Sequence, residues 1–220
     1  IGMRLAVQHP ELLESLILMA ASARLDPPKI REQTWWLWQM FRAGHREDIV
    51  DAALRFFFAP GTFSSQPDLT SKNRSNILKY DQAQARGMFE VARAAMDRTD
   101  IGELIKTIRV PTLAIAGKED LAPTPEELEF IVSCIPHAQL AVVDDASHLL
   151  AIEKPRQVAQ IVKRFLQARK WSWQGLGGHG EHRRSAFDRR ADSVGTAGES
   201  LPLDGQSSAI AIRHELIESF

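Results

Sequence analysis

Two polar residues stand where chemistry could be done, each just past a hydrophobic stretch. Asp120 closes Val-Pro-Thr-Leu-Ala-Ile-Ala-Gly-Lys-Glu-Asp (110–120), and His148 closes Leu-Ala-Val-Val-Asp-Asp-Ala-Ser-His (140–148). A carboxylate bonded to one imidazole nitrogen fixes the tautomer and stabilises the imidazolium, leaving the other nitrogen to take a proton from a nucleophile. An acid and then a histidine, each following a buried strand, is the order of the second half of a nucleophile–acid–base triad. The first half is missing: the sequence contains no Gly-x-Ser-x-Gly and opens on Ile1. The expectation is the C-terminal part of an enzyme, carrying two of three catalytic groups and inactive by itself. Position alone leaves other readings open. Asp120 could cap the turn that follows it, Glu119 is a rival acid, and His148 could bond a backbone carbonyl.

The elements that must position these two residues follow from periodicity. Residues 1–9 read as a helix interrupted at Pro10, with His9 at its end, and 13–20 as a short apolar strand of the kind covered on both faces. Strands are expected at 110–116 and 138–143, and helices from Thr124 to about 134 and over about 153–169. Thr124, Pro125 and Glu127 have the spacing of an N-cap, a first-turn proline and a capping box. Residues 101–108 read as a helical lead-in. Strand–helix alternation implies right-handed crossovers and a parallel sheet, with ligands at the carboxyl ends of its strands.

Between the first two strands the pattern changes. Asp26-Pro27-Pro28 is a helix start, and helices are predicted at about 28–43, 46–58, 67–79 and 80–97, with Ser64-Ser65-Gln66 as an interhelix loop. The expected organisation is a core segment over 1–25, a helical insertion over 26–100, a second core segment over 101–169, and a tail over 170–220. Ser, Gly, Arg and Asp dominate the tail and no period is visible, so disorder is expected there, with a weak helix at 209–219.

Composition narrows the function classes. A formal net charge of −1 argues against nucleic acid or anionic lipid as a partner. No apolar run approaches the ~20 residues of a membrane span. Arg183-Arg184 and Arg189-Arg190 are diluted by Glu181, Asp188 and Asp192, and His179-Gly-Glu-His182 lacks metal-ligand spacing. With no Gly-x-Gly-x-x-Gly after a strand, no cofactor is expected. The single cysteine, Cys134, reads as a buried inert thiol and fits a reducing compartment, so a cytoplasmic location is expected.

Residues 1–166 resemble the α/β-hydrolase superfamily downstream of its nucleophile elbow. Met3-Arg-Leu-Ala, His9-Pro-Glu and Leu16-Ile-Leu resemble the helix after the elbow and the next strand. The run to Gly117-Lys-Glu-Asp120 resembles the family strand ending in Gly-x-x-Asp. Ile135-Pro-His-Ala-Gln-Leu, Ala146-Ser-His148 and Glu153-Lys-Pro155 resemble the closing strand, the histidine loop and the final helix. Ser147 stands where members often carry glycine.

The resemblance implies an α/β fold, the C-terminal part of a hydrolase sheet with a helical cap, and Asp120 and His148 as acid and base. It implies a parent enzyme hydrolysing an ester, lactone or similar small carbonyl substrate, in the manner of enol-lactonases and esterases. Haloalkane dehalogenases and C–C bond hydrolases share the same downstream motifs. Trp35, Trp36, Trp38, Phe41, Phe56, Phe57 and Phe58 fall in the cap, either packing its helices together or lining an apolar acyl or ring pocket. Met19 and Ala20 at the first strand's end, and Leu149 beside the histidine, are further candidates to line it. The alternative is a non-catalytic binding protein or pseudoenzyme. An unpaired sheet edge beside 13–20 would make the chain alone prone to aggregate.

Overall fold

The computed structural model describes the backbone of residues 1–173 and side chains through Ala168. Three parallel strands, β1 (Leu16–Met19), β2 (Thr112–Gly117) and β3 (Gln139–Val143), form one sheet in the order β1-β2-β3. Leu16 aligns with Thr112 and Met19 with Ile115; Leu113 aligns with Gln139 and Gly117 with Val143. The central strand is buried along its whole length, which explains its unbroken apolar run. Successive side chains point to opposite faces, so Leu113 and Ile115 enter one core and Ala114 and Ala116 the other.

Each face is closed by helices. The alanine face packs beneath α1 (Gly2–Gln8) and a later helix, through Met3, Leu16, Leu18, Leu128 and Ile131. The other face is covered by the last helix through Val158 and Phe165, with Val143 and Leu150. Between β1 and β2 lie five α-helices, α2 (Pro28–Ala43), α3 (Arg46–Phe57), α4 (Pro60–Ser65), α5 (Pro67–Lys79) and α6 (Gln82–Met96), followed by a 3₁₀ turn over Leu104–Thr107. The five α-helices have a core of their own, with Leu37, Met40, Phe41, Ile49, Ala52 and Ala85 buried together. Gly44 ends α2 in the left-handed conformation that suits glycine, and Asp81 opens α6 with a reciprocal Asp81–Gln84 capping box. After β2 come α7 (Pro125–Cys134), the short α8 (Leu150–Glu153) and α9 (Pro155–Trp173).

Several local expectations are corrected. The first strand is shorter than 13–20, because Leu13 closes a 3₁₀ turn over Pro10–Leu12. Ser64 and Ser65 belong to α4 rather than to a loop, their hydroxyls bonding back to the carbonyl of Gly61. The residues expected to open a single helix at 153 are divided: Lys154 separates α8 from α9, where Pro155 cannot donate. The helix also continues to Trp173, past the expected start of the tail at 170. The rest of the tail, its expected disorder, the 209–219 helix, His179–His182 and the arginine pairs lie outside the described residues. Cys134 is half-buried rather than buried, at the edge of the alanine-face core. The capping box at α7 does not form, since Thr124 makes no side-chain cap bond. Glu127 instead accepts from the amides of Ala23 and Arg24 and pairs with the Arg24 guanidinium, a stronger set of donors after β1 than the α7 terminus offers.

Candidate active site

The carboxyl ends of β2 and β3 are clipped together by backbone. The amide of Lys118 donates to the carbonyl of Val143 at 3.0 Å and that of Glu119 to Ala146 at 2.9 Å, while the Ser147 hydroxyl donates to the Glu119 carbonyl at 3.2 Å. Gly117 makes this approach possible. A Cβ there would lie 2.6 Å from the Ala146 carbonyl oxygen and closer still to that of Ser147. The glycine of Gly-x-x-Asp is thus required by proximity to the histidine loop and not by a special backbone angle.

On this platform His148 meets Asp120. Nδ1 of His148 lies 3.2 Å from Oδ2 of Asp120. The other oxygen, Oδ1, accepts from the amide of Ala122 at 3.0 Å. Asp120 therefore caps its own turn with one oxygen and holds the histidine with the other. Its side chain is 1% exposed and that of His148 is 30% exposed. A buried acceptor facing Nδ1 favours the tautomer protonated there and leaves Nε2 free to accept a proton. Glu119, the rival acid, is exposed and reaches the histidine loop only through its backbone. An outer ion pair, Lys118 Nζ to Asp144 Oδ1 at 2.8 Å, bridges the same two loops. Its hydrogen bond holds the Asp144 carboxyl below the usual range and raises Lys118 above its ordinary value.

The aromatic candidates divide. A cavity of about 320 Å³ within the five-helix block is lined by Trp38, Phe41, Phe56, Phe57, Tyr80 and Leu149, among others. It adjoins the histidine: the Phe57 ring is 5.6 Å from the imidazole, and the Leu149 amide donates to the Phe57 carbonyl at 3.1 Å. Trp35 and Trp36 are not among its lining residues. Trp35 packs on Phe89 at 5.1 Å, and Trp36 lies against the Leu37–Phe41 core. The reason is helical: positions 34, 37, 38 and 41 share one side of α2. Phe58 is buried at a separate cleft with Arg55, Pro60, Phe63, Glu119 and Leu121. Met19 and Ala20 line another groove, of about 450 Å³, which also reaches His148.

Sequence reasoning missed Glu153, whose buried carboxylate accepts from the amide of Ser147 at 2.7 Å. The available signals were an acid in an otherwise apolar run, Leu149-Leu-Ala-Ile-Glu153, and its place in the Glu153-Lys-Pro155 motif, which was read only as the start of the final helix.

Residues 1–155 match the sequence profile described as alpha/beta hydrolase fold. The chain belongs to that family. Within this hydrolase family it is 28% identical over 171 residues to the 3-oxoadipate enol-lactonase 2 of Acinetobacter baylyi, an alignment covering 74% of this chain and 60% of the relative. It is 28% identical to a solved thermophilic esterase of Thermogutta terrifontis, with a TM-score of 0.66 over 76% of this chain and 60% of the other. The enol-lactonase of Burkholderia xenovorans is 26% identical, with a TM-score of 0.63, over 76% of this chain and 61% of that one. The chain thus spans about three fifths of the length of these relatives. Among its described residues no helix is long and apolar enough to cross a membrane, and no group of three or more His, Cys, Asp or Glu could hold a metal ion.

Proposed function

We propose that Asp120 and His148 are the acid and base of a nucleophile–acid–base triad, and that the whole protein hydrolyses an ester, lactone or similar small carbonyl substrate. The observation that carries this reading is the contact between His148 Nδ1 and the buried Asp120 at the carboxyl ends of two neighbouring strands. The relatives named for enol-lactonase and esterase activity support the reaction class.

In this reading the nucleophile and the oxyanion donors come from sequence beyond the 220 residues. Nε2 of His148 takes the proton of a nucleophilic hydroxyl as its oxygen attacks the carbonyl carbon. The resulting imidazolium, held by Asp120, returns that proton to the departing alkoxide, leaving an acyl-enzyme. Water then attacks with its proton going to the same nitrogen, and collapse frees the acid and restores the hydroxyl. For a lactone the alcohol and the acid remain one molecule.

The five helices between β1 and β2 act as the cap, within a domain arrangement of core segments over 1–25 and 101–169 and a cap over 26–100. Trp38 and Leu149 line its apolar acyl or ring site, Met19 lines the approach to His148, and Trp35 and Trp36 brace the cap. A cytoplasmic site of action is part of the same proposal. The test is a panel of esters and lactones against the intact protein and its His148→Ala variant; turnover unaffected by the substitution would refute the assignment. The absence of Gly-x-Ser-x-Gly favours a second reading, in which the chain by itself binds such molecules without turning them over. Binding by the intact protein with no turnover of any panel member would select it.

A further inference from the structure

Glu153 is a buried carboxylate that the proton transfers above do not use. It ends α8 with 2% of its surface exposed, a position that is unfavourable unless hydrogen bonds replace the lost water. Its two oxygens face different parts of the molecule. Oε1 accepts from the amide of Ser147, the residue before His148, at 2.7 Å. Oε2 accepts from the amide of Ala59 at 2.9 Å and from the hydroxyl of Thr62, both at the junction of α3 and α4. The Gln66 side chain adds a bond to the Glu153 carbonyl at 3.2 Å. On the other side of the histidine, the Leu149 amide donates to the Phe57 carbonyl at 3.1 Å. The two residues flanking His148 are therefore both tied to the helical block, one directly and one through a single carboxylate.

We propose that Glu153 is a positioning residue that clamps the His148 loop to the α3–α4 junction, so that the placement of the helical block sets the orientation of the imidazole. The proposal rests on the reading of His148 as the base. The chemistry selects glutamate. Every group facing the two oxygens in this structure donates, so both oxygens must accept. Glutamine would turn an NH₂ toward either Ser147 or Ala59, donor against donor, and aspartate is one methylene too short to reach both sides. The clamp also joins residues far apart in the chain, 59 and 62 to 147 and 153, so it forms only when the block and the sheet are assembled.

The test uses the intact protein with ¹⁵N-labelled histidine and three variants. Glu153→Gln removes one side of the clamp. Thr62→Val removes only the hydroxyl donor at nearly constant volume. Glu153→Asp asks whether charge without reach restores the effect. The expected result is a shifted or broadened His148 Nδ1–H resonance in all three. In turnover, kcat falls on the order of 10- to 100-fold in Glu153→Gln, with KM within about twofold. If Glu153→Gln fails to fold, Thr62→Val carries the same spectroscopic test with the carboxylate in place. Variants that lower the melting temperature but leave the His148 resonance and kcat unchanged would reduce Glu153 to a structural staple and overturn the proposal. The failure of the hydrolase reading has a different signature, since turnover would then be absent or would survive His148→Ala while the coupling between Thr62 and the His148 resonance remained.

Discussion

Asp120 holds the imidazole of His148 with one carboxylate oxygen and the amide of Ala122 with the other. Replacement by asparagine cannot reproduce both bonds, because the amide NH₂ must face one of two donors. Oriented to keep the Ala122 bond, it presents NH₂ to Nδ1 and favours the wrong tautomer. We expect Asp120→Asn to lower kcat of the intact protein on the order of 10⁴-fold while the fold survives. Steady-state kinetics beside a thermal melt would check this, and a loss below tenfold would count against the role given to Asp120.

Gly117 is the second point of leverage. A methyl group there meets the Ala146 and Ser147 carbonyl oxygens, which belong to backbone and cannot swing aside. Gly117→Ala is expected to destabilise the protein by about 1–3 kcal/mol and to displace the histidine loop. Denaturant unfolding measures the first effect, and the His148 Nδ1–H resonance the second. An alanine variant of unchanged stability would show that the two loops separate freely.

Among the described residues, the cavity beside Phe57 has Thr34, Asn73 and Tyr80 as polar lining residues and no Lys, Arg or His. An uncharged acyl chain can enter it, whereas a carboxylate at the far end would be buried without a cation. In paired assays, a hexanoate ester should exceed the corresponding hexanedioate half-ester in kcat/KM by about 10- to 100-fold. Equal rates would mean that the acyl group lies elsewhere, the Met19 groove being the next place to look. Trp38→Ala should erode the preference by enlarging the cavity.

The Lys118–Asp144 pair should make a small, salt-sensitive contribution to the loop junction. Asp144 titrates below its ordinary range, so its contribution is present at neutral pH and is lost as the pH falls through that lowered value. Lys118 titrates above its ordinary value, so its contribution is lost only as the pH rises through the raised one. Asp144→Asn should therefore narrow the stability difference from the parent protein at acid pH and leave it widest near neutrality. Melts across that range at low and high salt read this out, and a difference independent of pH would contradict it.

What was legible in the sequence was local. Long apolar runs marked the strands, and the Asp26-Pro27-Pro28 start and helical periodicity marked α2, α3 and α5 to within a residue. A hydrophobic period is a property of neighbours along the chain, and it is enforced by burial of one face whatever that face meets. The placement of Asp120 and His148 after two strands was readable for the same reason.

Tertiary structure decided the partners. Glu127 has the spacing of a capping box, yet it turns to Ala23 and Arg24, about a hundred residues away, because they offer two amides and a guanidinium. Trp35, Trp36 and Trp38 are alike in composition, but only Trp38 among them faces the cavity, since helix rotation against α3 and α6 selects the side. Glu153 reads as an ordinary acid at a helix end and becomes a buried clamp only when Ala59 and Thr62 arrive from 94 and 91 residues earlier. Hydrogen-bond donors leave no periodic trace along a chain. The sequence by itself determined most of the strands and longer helices and where the acid and the histidine would emerge. The folded chain alone decided which donors met Glu153, which aromatics met the cavity and why residue 117 must be glycine, because each depends on distances between segments that sequence spacing does not encode.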